Sequence, residues 1–155
     1  MPKGLRAEIK QSKPFPSATA EALLGILRTA AVIDHHLSEA LKPHKITTTQ
    51  YNVLRILRGA GRQGLCGREV AERLVSKVPD VSRLLDRMEE LGLISRQRDA
   101  DDRRHVTARI TAKGLALLDR ATPDLERVER QRFGGMDPKG LERLILTLDE
   151  VRGGT

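Results

Sequence analysis

Apolar residues recur at spacings of three and four from Leu23 through Ile26, Leu27, Ala30, Ile33 and Leu37 to Leu41, the period of a helix that buries one face. Ser17 ahead of this run and Glu21 in its first turns suit a helix start, and Pro43 ends it. A second helix opens at Thr47, Thr48 and Thr49, a supply of capping hydroxyls, and carries Val53, Leu54, Ile56 and Leu57 until Gly59 and Gly61 stop it. Residues 64–75 predict a short third helix, with Val70, Ala71 and Leu74 inward and Arg68, Glu69, Glu72 and Arg73 toward solvent. After a short Ser-Lys-Val connection, Pro79 fits the first position of a fourth helix and Asp80 its positive end. Val81, Leu84, Leu85, Met88 and Leu91 form the apolar face of that helix, and Gly92 supplies the left-handed residue that ends it.

Beyond Gly92 the period falls to two. Leu93 and Ile94 lead into a strand, a charged turn follows, and Val106, Ala108 and Ile110 alternate with Thr107 and Arg109 in a second strand, which together predict a β-hairpin. Thr111 can cap a fifth helix bearing Leu115, Leu118, Leu125 and Val128, with a kink or irregularity expected at Pro123 and a break at Gly134 and Gly135. A last helix from about Asp137 bears Leu141, Leu144, Ile145, Leu148 and Val151. Residues 1–16, with Lys3, Arg6, Lys10 and Lys13 between prolines and no sustained periodicity, read as a flexible basic arm. No repeat or low-complexity tract is visible.

The fold class predicted is therefore mainly α with a small β-hairpin, and the order helix, helix, turn, helix, hairpin over residues 47–110 is that of a winged helix-turn-helix. In such a motif the second helix enters the DNA major groove. At about 100° per residue its apolar positions leave Ser82, Arg83, Asp86, Arg87 and Glu90 outward. Arg83 can grip guanine O6 and N7 as a bidentate pair, Ser82 can reach a base edge or a phosphate, and Arg87 and Lys77 can hold flanking phosphates. Asp80 can accept from a cytosine amino group, or instead orient Arg83 or the helix N-terminus. The hairpin tip sets Arg96, Arg98, Arg103 and Arg104 among Asp99, Asp101 and Asp102. An arginine pressed into the narrow minor groove has to be aimed, and Asp102 stands beside Arg104 for that purpose. Three carboxylates among four arginines, without EF-hand spacing, make a poor metal loop.

Composition narrows the partner. The chain has 155 residues and a net charge of +7, which makes an anionic partner worth considering. Residues 1–62 hold ten basic and four acidic residues, whereas residues 116–155 hold seven and eight, so the last helices are poor candidates for a DNA surface. Only Phe15, Tyr51 and Phe133 are aromatic, too few rings for the base stacking that single-strand binders use. Cys66 is the only cysteine, which rules out an intrachain disulfide framework and suits a reducing cytoplasm. No signal peptide or apolar run of membrane-spanning length is present, and cytoplasmic placement is the expectation. There is no phosphate-binding glycine loop, zinc-protease helix or nucleophile elbow, and His35, His36, His44 and His105 are not at ligand spacing. The chain is thus expected to be no enzyme and to need no cofactor or metal.

The wing residues Asp102, Arg103 and Arg104, the helix entry Ile110, Thr111 and Gly114, and the block PDVSRLLDRMEELGLISR resemble the MarR family of bacterial transcriptional regulators. The resemblance covers residues 20–150. Asp101, where an arginine is frequent, and Ile110, where leucine is usual, depart from the pattern. The resemblance implies a homodimer in which helices of residues 17–44 and 112–155 interlock around winged domains of residues 45–111. The long apolar stripes at both ends of the chain agree with that. Two dyad-related reading helices would then recognise a pseudo-palindromic double-stranded site. The resemblance also implies a repressor relieved by a small aromatic effector, with His35, His36 and Tyr51 as lining residues. Two other readings use the same residues: a winged-helix module that docks protein, which would expose apolar side chains where Ser82, Arg83 and Arg87 stand, and a thiol-based redox sensor through Cys66 at a helix N-terminus.

Overall fold

The computed structural model describes residues 3–153. It comprises two compact units, one ending at Glu39 and the other beginning at Ala40.

In the first unit, residues 3–16 include one helical turn, α1 (Leu5–Glu8). Its cause is local hydrogen bonding: the Arg6 guanidinium folds back onto the carbonyls of Gln11, at 3.2 Å, and Ser12. Glu8 also lies 3.7 Å from Arg28. The long helix α2 (Ala18–Leu41) begins where the Ser17 hydroxyl accepts the Ala20 N–H at 3.1 Å. Leu23 and Leu27 on α2 are each 59% exposed.

The second unit opens with a 3-10 turn at Lys42–His44, followed by α3 (Thr48–Ala60). Thr47 and Gln50 form a reciprocal capping box, each side chain accepting the other's backbone N–H, at 3.1 and 3.0 Å. Next come strand β1 (Leu65–Cys66), α4 (Gly67–Arg73), α5 (Val81–Glu90), the strands β2 (Ile94–Arg98) and β3 (Val106–Ile110), and the helices α6 (Ala112–Phe133) and α7 (Pro138–Val151). The core lies where α3 meets α6 and β3. Val53, Leu54, Leu57, Leu118 and Ala121 there are fully buried, and each leucine contributes about 1.5–3 kcal/mol of transfer free energy. At the edge of this core the Tyr51 hydroxyl meets Thr122 Oγ1 at 2.9 Å, and His44 Nε2 meets Asp124 Oδ2 at 2.7 Å. The His44 contact, followed by the Arg127 contact, holds the Asp124 pKa below the ordinary aspartate value.

Two expectations about the elements need correction. The third helix spans Gly67–Arg73 rather than residues 64–75, because Leu65 and Cys66 pair antiparallel with Ala108 and Thr107 and turn the hairpin into a three-stranded sheet of order β1-β3-β2. Gly64 makes that pairing possible, since it has φ +64 and a Cβ there would lie 2.4 Å from the Ala108 carbonyl oxygen. The fourth helix begins at Val81, not near Pro79, with Asp80 as its cap. Helix α6 is continuous through Pro123. The buried Ala121 and Leu125 on either side are packed in the core, and that packing outweighs the local cost of the proline.

The hairpin register is Ile94 with Ile110 and Arg98 with Val106. Helix α5 ends in a Schellman-type turn, in which the Leu93 N–H reaches the Met88 carbonyl at 3.0 Å across Gly92, at φ +74. Thr111 then ties the wing to α6: its hydroxyl donates to the Gly92 carbonyl at 2.7 Å and accepts the Gly114 N–H at 3.0 Å. Gly114 itself sits so close to β2 that a Cβ would lie 2.2 Å from the Leu93 carbonyl oxygen. Among the described residues no helix is long and apolar enough to cross a membrane.

Candidate nucleic-acid interface

Helix α5 separates its residues by burial as its periodicity predicts. Leu85 and Met88 are 3% and 0% exposed, while Ser82, Arg83, Asp86, Arg87 and Glu90 lie at the surface. The Asp80 side chain caps the helix by accepting the Arg83 N–H at 2.9 Å, and its second oxygen lies 4.0 Å from Arg83 Nε. It therefore serves the helix N-terminus and stands beside Arg83, whose side chain remains 89% exposed. Arg87 is 3.5 Å from Glu90, a loose pair one turn along the same surface. Lys77 is exposed in the connection of residues 74–80, which is longer than the expected Ser-Lys-Val link and is pinned where the Val75 N–H donates to Asn52 Oδ1 at 2.9 Å.

The wing tip is a turn built by its aspartates. The Asp99 side chain accepts the Asp101 N–H, and the Asp102 side chain accepts the Arg104 N–H, both at 3.0 Å. The same Asp102 Oδ1 lies 3.3 Å from Arg104 Nε, so one carboxylate sets both the backbone and the guanidinium of Arg104. Arg98 reaches across the hairpin to the Arg103 carbonyl at 2.9 Å, which makes it a brace of the turn. Arg103 and Arg104 are exposed at the tip.

Arg96 behaves differently from the other tip arginines. Its guanidinium donates to Asp86 on α5 and to Glu89 at 3.1 Å, and its backbone N–H donates to Glu89 Oε2 at 2.9 Å. Burial works against its charge, but the Asp86 and Glu89 carboxylates outweigh that and raise its pKa. Sequence periodicity could place Asp86 outward and Arg96 on the wing, but not their contact, which depends on how the hairpin folds back on α5.

Between α5, the start of α4 and the wing lies a cleft of about 420 Å³. Cys66 lines it, half-buried as the residue preceding α4. The Glu69 carboxylate accepts the Cys66 backbone N–H at 2.9 Å, and this bond above all holds the Glu69 pKa below the ordinary value. Arg68, read from sequence only as a solvent-facing residue, is also at the cleft.

The residues expected to line an effector crevice are divided. His35 and His36 lie in the first unit, with ring centroids 5.5 Å apart at an interplanar angle of 65°. Tyr51 belongs to the second unit, 8% exposed, with its hydroxyl already engaged by Thr122.

Comparison with known proteins agrees with this fold. The MarR family model matches residues 46–106. The chain is 30% identical over 121 residues to the HTH-type transcriptional regulator YkoM of Bacillus subtilis, covering 78% of this chain and 77% of the relative. The chain belongs to the MarR family. MarR proteins are transcription regulators and not enzymes, and the winged helix-turn-helix described above is their DNA-binding fold. Solved MarR-like structures share it. The S. aureus MepR-DNA complex superimposes with a TM-score of 0.76 at 22% identity, covering 84% of this chain and 95% of that one. An organohalide-sensing transcriptional regulator in its 2,4-dichlorophenol-bound form superimposes with a TM-score of 0.81 at 23% identity, covering 94% and 88%.

Proposed function

We propose that this MarR protein is a sequence-specific, double-stranded DNA-binding repressor that acts in the cytoplasm as a homodimer. The observation that carries this reading is the exposed face of α5, where Ser82, Arg83 and Arg87 stand over a buried apolar face, beside a wing whose Arg104 is set by Asp102. Arg83 reads a base edge in the major groove. Ser82, Arg87 and Lys77 position the helix on phosphates, Arg104 enters the minor groove, and Arg103 and Arg98 support it there. Asp80 orients the start of the helix. A protein-docking module would need apolar side chains on this face, and charged ones occupy it.

Dimerisation rests on apolar surface left uncovered. Leu23 and Leu27 of α2 are each 59% exposed, and Ile145, Leu146 and Val151 of α7 are 58%, 56% and 62% exposed. Helix α7 buries none of its residues within the chain. An amphipathic helix with nothing buried needs a partner, and a second copy of the same chain supplies one on each side of a dyad. The dimer places two reading helices on a pseudo-palindrome with half-sites about one helical turn apart.

Effector relief draws support from the similar fold of the 2,4-dichlorophenol-bound regulator. A small aromatic effector would act by shifting the separation of the two reading helices.

Fluorescence anisotropy with duplexes from the DNA flanking the gene, against a scrambled duplex and across a salt series, tests the reading. The expected result is tighter binding to the flanking DNA by a factor of at least about 10³. Equal affinity for both duplexes would remove sequence specificity from it.

A further inference from the structure

We propose that Arg68, at the cleft between α5 and the wing, is a phosphate-positioning residue for DNA. The inference rests on the DNA-binding reading and extends it to residues outside the reading helix and wing tip.

In B-form DNA one strand separates the major groove from the adjacent minor groove. A protein that places a helix in one groove and a hairpin in the next must straddle that strand. The strand then passes through whatever lies between helix and hairpin, which in this chain is the 420 Å³ cleft. Its lining suits a deoxyribose phosphate. Leu85, Val106 and Ala108 give it an apolar lining against which a sugar can rest, and Ser82, Arg68 and Arg104 contribute polar and cationic groups.

The balance of charge singles out Arg68. Arg96 also lines the cleft, but Asp86 and Glu89 already hold its guanidinium. Arg104 is the wing arginine that the DNA-binding reading already uses, with Asp102 Oδ1 3.3 Å from its Nε. Arg68 is 87% exposed, and its pairing with Glu72 at 3.1 Å is between two surface groups, a contact of little energy that a phosphate can replace. The position is on α4, so a grip there fixes the register of the motif on the duplex without reading sequence.

The test is the salt dependence of DNA affinity in wild type, Arg68→Ala and Arg68→Lys, on a flanking and a scrambled duplex. Loss of one phosphate contact lowers the slope of log affinity against log salt by about 1 and weakens binding evenly on both duplexes. Arg68→Ala is expected to do both, while Arg68→Lys keeps the wild-type slope. Thermal unfolding is expected to be the same in all three proteins, since the side chain is exposed. A wild-type slope in Arg68→Ala, or a loss confined to one duplex, overturns the proposal while leaving DNA binding intact. Failure of the wild type to bind any duplex overturns both.

Discussion

Nη2 of Arg96, on the first wing strand, lies 3.1 Å from Oε1 of Glu89 on the reading helix. The same guanidinium holds Asp86, and Glu89 also takes the Arg96 backbone N–H. One guanidinium is thereby shared by two carboxylates of α5 and offsets half of their charge, and it ties the wing to α5. Removing the clamp with Arg96→Met leaves both acids uncompensated. The expected cost in stability is about 1 kcal/mol, the order of part-exposed pairs. DNA affinity should fall on every sequence, because repulsion of phosphate does not depend on bases. Urea denaturation and anisotropy on two duplexes separate these effects, and full affinity in the variant would show that the clamp does not serve binding.

Arg83 and Arg104 are expected to fail differently. If Arg83 reads a base edge as proposed, Arg83→Ala should cost about 1–3 kcal/mol on the preferred duplex, with base preference relaxed. Arg104→Ala should weaken binding more evenly across sequences. Asp102→Ala should follow Arg104→Ala in kind, since Asp102 sets both the backbone and the guanidinium of that residue. Affinities of the three variants on a panel of single-base substitutions distinguish these patterns.

Gly114 lies at the start of α6 with no room for a side chain, its absent Cβ falling 2.2 Å from the Leu93 carbonyl oxygen. Gly114→Ala pushes backbone against backbone and should destabilise the fold by about 1–3 kcal/mol or more, despite alanine being the better helix former. Gly59 has nothing within 4 Å of the same position, so Gly59→Ala should be neutral or stabilising. Denaturation midpoints of the two variants check the contrast.

Asp124 bonds to His44 and Arg127, and its pKa lies below the ordinary value. A depressed carboxylate contributes stability above its unfolded pKa and loses it as pH falls through the folded value. The advantage of wild type over Asp124→Asn should therefore be full at neutral pH and shrink in the acid range below the ordinary aspartate pKa. Denaturation curves at stepped pH give the difference, and a gap independent of pH would assign the effect to shape rather than charge.

Leu27→Glu and Ile145→Glu place a charge on surfaces already 59% and 58% exposed in the single chain. Neither should unfold the chain. Each should shift sedimentation toward a single-chain species and weaken binding to a two-half-site duplex, while leaving binding to an isolated half-site nearly unchanged.

Much of the local structure was legible in the amino-acid order. The apolar spacing of α5, the Thr47 and Thr111 caps and the Gly92 stop are signals carried by neighbouring residues, because helix period and capping act over three or four positions. The chain also specified Asp102 beside Arg104 for the same reason. What only the tertiary structure decided involves partners distant in sequence. Leu65 and Cys66 become a strand because Ala108 and Thr107 arrive beside them, and α6 continues through Pro123 because Ala121 and Leu125 are packed in the core. Arg96 clamps Asp86 and Glu89, and Arg68 reaches a cleft, only once the hairpin has folded back on the reading helix. Each of these depends on burial and charge supplied from another element, which a local period does not encode.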